Sequence, residues 1–203
     1  MHRSTRITMA LSLLVIILTV VAAGSARAGE PRLDRHGFFA GLDLGAGGSH
    51  FEYTKNGQTY ESDEDNGGAV GLRLGYAFNP YFSLSLDARG YGHQADDFDY
   101  SLGSSTLSAT VYPMGGGFFF RVSAGHACLE TDVPSDTRDP LIEEFDECGP
   151  ALGLGLGYDW MVNRHFAIGL SLESRGAAID DFGEFTDVKI GESSLGATMN
   201  YYF

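Results

Sequence analysis

The stretch Val70–Arg89, VGLRLGYAFNPYFSLSLDAR, alternates twice around one turn. Val70, Leu72, Leu74, Tyr76 and Phe78 alternate with Gly71, Arg73, Gly75 and Ala77. After Asn79-Pro80-Tyr81, Phe82, Leu84, Leu86 and Ala88 alternate with Ser83, Ser85, Asp87 and Arg89. A sustained period of two marks strands whose two faces meet different environments, and Asn-Pro between two such runs marks a tight antiparallel hairpin. A three-residue turn sets Phe78 opposite Phe82, and counting back from there sets Arg73 opposite Asp87. Two opposite charges on the less apolar face are expected to neutralise each other.

The same pattern recurs along the chain. Eight alternating runs cover Phe38–Ala46, Val70–Phe78, Phe82–Arg89, Thr106–Val111, Phe118–Gly125, Leu152–Trp160, Phe166–Arg175 and Leu195–Phe203. Short turns lie at Asn79–Tyr81, Pro113–Gly117 and Met161–His165. Long connections lie at Glu52–Asn66, Tyr91–Ser105, Cys128–Pro150 and Gly176–Lys189. Short turns at one end and long loops at the other predict an all-β, eight-stranded antiparallel up-and-down transmembrane β-barrel over residues 37–203, after a short lead at 29–36.

Composition agrees with this. Gly numbers 28, Phe 14 and Tyr 10 in 203 residues, 43% of the residues are hydrophobic and only 20% are charged, an all-β profile. A net charge of −14 excludes a protein that binds nucleic acid by neutralising phosphates. The one long apolar run, Ile7–Ala23, follows Arg3 and Arg6 and precedes Ala26-Arg27-Ala28, the pattern of a signal peptide covering residues 1–28. Its removal leaves Gly29 as the mature N-terminus and makes the chain more acidic still. Export also exposes Cys128 and Cys148 to oxidising conditions, where they are expected to pair within the third long loop.

Alternation alone does not say which face points outward, because soluble barrels share the period. Aromatic placement does. On the apolar faces, Phe38, Tyr76, Phe78, Phe82, Phe118, Phe120, Tyr158, Trp160, Phe166, Tyr201 and Phe203 all fall at the short-turn or terminal end of their runs. Aromatics at one height form an interfacial girdle, which places the apolar face in lipid. The other face carries Asp43, Arg73, Asp87, Arg89, Arg121, Asp159, Glu173 and Arg175. Each charge would cost about 2–4 kcal/mol facing lipid near the midplane, so these eight belong to the lumen. An eight-stranded lumen is only wide enough for side chains, so they are expected to form a plug and not a pore.

The export segment, the opening Gly37-Phe38-Phe39-Ala40-Gly41, the Leu74–Phe82 hairpin and the terminal Tyr201-Tyr202-Phe203 together resemble the small eight-stranded outer-membrane β-barrels of Gram-negative bacteria, the group that includes outer-membrane protein X and the membrane domain of outer-membrane protein A. The resemblance implies residence in the bacterial outer membrane, contact with its lipid and lipopolysaccharide, and a monomeric barrel. It also implies that Tyr201 and Phe203 are read by the barrel-assembly machinery, although Thr198 stands where that signal has Gly, with Gly196 two residues earlier.

Catalytic signals are weak. Gly153-x-Gly155-x-Gly157 falls in a strand run and not before a helix, so it reads as a lumen face and not a phosphate loop. His50, His93 and His126 lie near the outer ends of three different strands, with Ser49 beside the first and Asp96 and Asp97 after the second. Outer-membrane enzymes that modify lipid A place polar catalytic groups at this level, which leaves such an enzyme as the alternative reading, with a narrow channel as a further one. The long connections hold 20 of the 27 acidic residues, including Asp63-Glu64-Asp65-Asn66 and Asp96-Asp97-x-Asp99. Such runs form a solvated acidic surface. The reading is a non-enzymatic barrel, with no cofactor and no dedicated metal site, acting structurally or through its acidic outer loops.

Overall fold

The computed structural model describes residues 35–55, 58–61, 65–94, 99–132, 146–182 and 185–203. The export segment and residues 29–34 of the lead lie outside these. The strands are β1 (Gly37–Lys55), β2 (Gln58–Glu61), β3 (Asp65–Asn79), β4 (Phe82–Gln94), β5 (Asp99–Val111), β6 (Phe118–Asp132), β7 (Asp146–Met161), β8 (Phe166–Phe182) and β9 (Phe185–Tyr202). Eight long strands follow one another as antiparallel neighbours, and β9 returns to pair with β1 through Phe39↔Tyr202 and onward, which closes the barrel. The four-residue β2 is an addition to the expected eight. It folds back on the upper end of β1, with Lys55 opposite Gln58.

The β3–β4 hairpin sets Arg73 opposite Asp87, but by a different turn from the expected one. Asn79, not Phe78, pairs with Phe82, and the register shifts between Ala77 and Asn79. One bulged residue plus the two-residue turn Pro80-Tyr81 advances the chain as far as a three-residue turn would, so the strands beyond keep the same partners. The Asn79 side chain holds this turn, its Oδ1 accepting the Tyr81 backbone N–H at 2.8 Å.

The strands are longer than the sequence patterns. Roughly 9–11 tilted residues cross a bilayer, whereas β1 has 19 and β9 has 18. Most of the expected loops are therefore strand, and the sheet continues as a collar beyond the apolar band. Within the band, Leu74, Leu86, Leu152 and Leu154 face outward, each more than 65% exposed, while Arg73, Asp87, Arg121 and Glu173 are buried inside. In the collar the phase inverts. Leu102, Leu129, Ile179, Val188 and Ile190 point inward and pack with Tyr91 and several alanines, while His50, Gly92, Ser101, His126 and Lys189 face out.

Lumen glycines make room for rings. A Cβ at Gly75 would lie 2.6 Å from the Phe39 ring and 2.5 Å from the Leu84 carbonyl oxygen, whereas one at Gly92 would meet open space. Gly75→Ala is accordingly expected to destabilise the barrel by about 1–3 kcal/mol, through overpacking, in urea unfolding from lipid. Gly92→Ala, tested alongside, should leave stability unchanged or raise it slightly.

Candidate functional site

The lumen has three layers. Nearest the short turns lie Phe39, Ala77, Ala167 and Tyr202. The apolar collar core fills the far end. Between them the inward faces of six strands bring four arginines and four carboxylates together, all at or near full burial. Arg73 holds Asp43 at 2.6 Å and Asp87 at 3.3 Å. Ser85 and Ser108 each donate to Asp87 at 2.7 Å. Glu173 is the hub. Arg121, Arg89 at 3.1 Å, Arg175 at 3.2 Å and Arg73 at 3.9 Å surround its two oxygens. Arg89 also donates to Glu192 at 2.9 Å and to Ser194, while Arg175 reaches Ser104 at 3.1 Å. Equal numbers of opposite charges make the cluster neutral, the condition under which so many ions persist out of water.

Asp159 departs from its expected place in this network. It sits in the layer below, without an arginine partner among the described residues, and accepts hydrogen bonds from Tyr112 at 2.9 Å and Thr198 at 3.1 Å. Burial, with Asp159 alongside, pushes the Tyr112 phenol well above its ordinary pKa, so that it stays a donor. Sequence reading missed Tyr112, Glu192 and Arg35. Glu192 lay between the fourth connection and the eighth run, where its inward parity counted backward from Leu195 was the available signal. Arg35 and Tyr112 lie outside the strands and carry no periodic signal.

The outer candidates do not converge. His50 on β1 is exposed and lies over Gly191, while neighbouring Ser49 is buried on the opposite face. His126 on β6 is exposed, and β4 places His93 opposite Tyr100. Asp96 and Asp97 lie outside the described residues. Among the described residues no group of three or more His, Cys, Asp or Glu stands together as a metal site. At the chain end, Tyr201 and Phe203 face outward, 48% and 73% exposed, with their rings 5.2 Å apart.

Cys128 and Cys148 are joined in a disulfide. They are not in a loop, as expected, but directly opposite each other on β6 and β7. The bond therefore ties β6 to β7 within the collar. Reduction is expected to leave the barrel folded while freeing the strand ends above it, a local loss of up to about 3 kcal/mol. Hydrogen exchange checks this. Amides beyond Cys128 and before Cys148 should exchange faster on reduction, and those of Val122 and Leu154 should not change.

The outward aromatics contact one another at the short-turn end, across strands at Phe38 and Tyr76 and along single strands elsewhere. Phe38 lies against Tyr76 at 5.0 Å between ring centres, Tyr76 against Phe78 at 5.1 Å, Phe118 against Phe120 at 4.8 Å and Tyr158 against Trp160 at 4.9 Å. Residues 13–203 match the outer membrane protein beta-barrel domain family. The chain belongs to this family. Its closed barrel is similar to Neisserial surface protein A, with a TM-score of 0.53 at 18% identity over 82% of this chain and 97% of that one. It is also similar to Ail, the attachment invasion locus protein of Yersinia pestis, with a TM-score of 0.54 at 18% identity over 82% of this chain and 99% of that one. No curated protein matches the sequence. Membership in this family assigns the barrel to the bacterial outer membrane.

Proposed function

We propose that this outer-membrane β-barrel is a sealed, non-enzymatic monomer that holds a rigid acidic collar and its loops at the cell surface, with the short turns in the periplasm. The observation that carries this reading is the inversion of the alternating pattern. Outward residues are apolar through the band and polar or small above it, while inward residues change from the ion cluster to the collar core. A soluble barrel has no reason to invert, whereas a barrel leaving lipid for water must. Two filled layers beyond the charged one favour a plug over a conducting pore.

The surface role rests on the strand ends, where acidic residues such as Asp65, Asp99, Asp132 and Asp146 begin or end strands well beyond the apolar band. The cleaved signal peptide, assembly through Tyr201 and Phe203, and contact with lipopolysaccharide belong to the same reading. Lipid A modification is disfavoured because Ser49 and His50 point to opposite faces and the three histidines stand on separate strands. Reconstituting the protein in lipopolysaccharide-containing bilayers tests both points in one sample. Absent unitary currents and an unchanged lipid A acyl pattern are expected, and either steady conductance or an altered acyl pattern would overturn the reading. Trypsin added to intact cells should cut at Arg138, and protection there would reverse the orientation.

A further inference from the structure

At the short-turn mouth of the barrel, Arg35, two residues before β1, is held in place. Arg35 is 1% exposed, and its guanidinium lies 3.9 Å from the ring centre of Tyr112, in the β5–β6 connection. Its Nη1 donates to the Gly116 carbonyl oxygen at 2.6 Å in the same connection. In the strand order β1-β3-β4-β5-β6, that connection is three strands away from β1, so Arg35 must reach over the opening to touch it. Tyr112 is itself fixed from inside, donating to Asp159 and packing edge-on against Phe119 at 5.7 Å.

We propose that Arg35 is the bolt of a strap that closes the short-turn mouth, and that the strap opens and shuts without unfolding the barrel. The proposal goes beyond the surface reading above and does not depend on it. Two features give the strap its reversibility. Its hold is local, consisting of one stacked ring and one carbonyl acceptor, neither of which belongs to a β-ladder. The hold is also incomplete, because Nε and Nη2 of Arg35 are buried without a hydrogen-bond partner among the described residues. Opening returns both groups to water, which offsets part of the lost stacking. Asp159 and Tyr112 remain hydrogen-bonded to each other when the strap leaves, so the barrel loses no internal partner.

Limited trypsin digestion of the protein purified from membranes tests this, with mass spectrometry to score cleavage after Arg35 and heat-modifiable gel migration to score folding. Wild type should be cut after Arg35 at least tenfold more slowly than Tyr112→Ala, and the cut wild-type barrel should still migrate as folded. Tyr112→Phe keeps the ring and should resemble wild type. Equal cleavage rates in wild type and Tyr112→Ala, or unfolding on cleavage, would overturn the proposal. If Tyr112→Ala does not fold, wild type alone decides through NMR of nitrogen-labelled arginine side chains. The Arg35 guanidinium should then exchange with water at least tenfold more slowly than that of Arg164 in an exposed turn, and equal exchange would refute the strap.

Discussion

Glu173→Ala is expected to destabilise the barrel by about 3–5 kcal/mol, read as a lowered urea midpoint in lipid, whereas Lys189→Ala costs about 0–1 kcal/mol. Both residues take part in ion pairs with an N–O distance near 3.2 Å. The environment separates them. Glu173 is 4% exposed and shared by four arginines, so its removal leaves an excess of buried positive charge in a site without solvent to take it up. Lys189 is exposed and Glu52 partly so, and water replaces the lost partner. Arg73→Ala should behave like Glu173→Ala, because Asp43 and Asp87 both depend on it. Equal small effects for Glu173 and Lys189 would mean that the ion cluster is hydrated.

Leu154→Arg probes the other side of the same wall. Leu154 is 68% exposed and pairs with Val122 and Ser174 in the middle of β7. A charge introduced there should cost about 2–4 kcal/mol in lipid, falling to about 0–1 kcal/mol for Ala178→Lys, which faces out beside Lys189 in the collar. Unfolding from phospholipid vesicles measures both. Similar costs at the two positions would contradict a bilayer edge between them.

The eight runs, their facing and the Arg73–Asp87 register were legible because period-two alternation records which environment each face meets, and lipid enforces it strictly. The bulge at Phe78 was not legible, since two turn geometries deliver the same register. Strand ends were misplaced for a clearer reason. Above the bilayer the apolar residues change parity, as from Leu172 outward to Ala177 and Ile179 inward on β8, and a run scored on one phase ends where the phase changes. Cys128 and Cys148 fell beyond that change, so strand positions were read as loop. Asp159 shared the inward parity of the ion cluster, but its height in the barrel put it beside Tyr112. Parity gives the face, whereas height needs the tilt and stagger of all eight strands.

Trp160 supplies the most direct test of the central claim that the apolar face lies in lipid and the charged face is enclosed. It is the only tryptophan in the chain, and it stands on the outward face of β7 beside Tyr158, in the aromatic belt. Its fluorescence is measured in vesicles whose acyl chains carry bromine at defined depths, and again with acrylamide in the water. The barrel described here predicts strong quenching by bromines near the carbonyl end of the chains and weak quenching by acrylamide. Full quenching by acrylamide with no response to brominated lipid would contradict it.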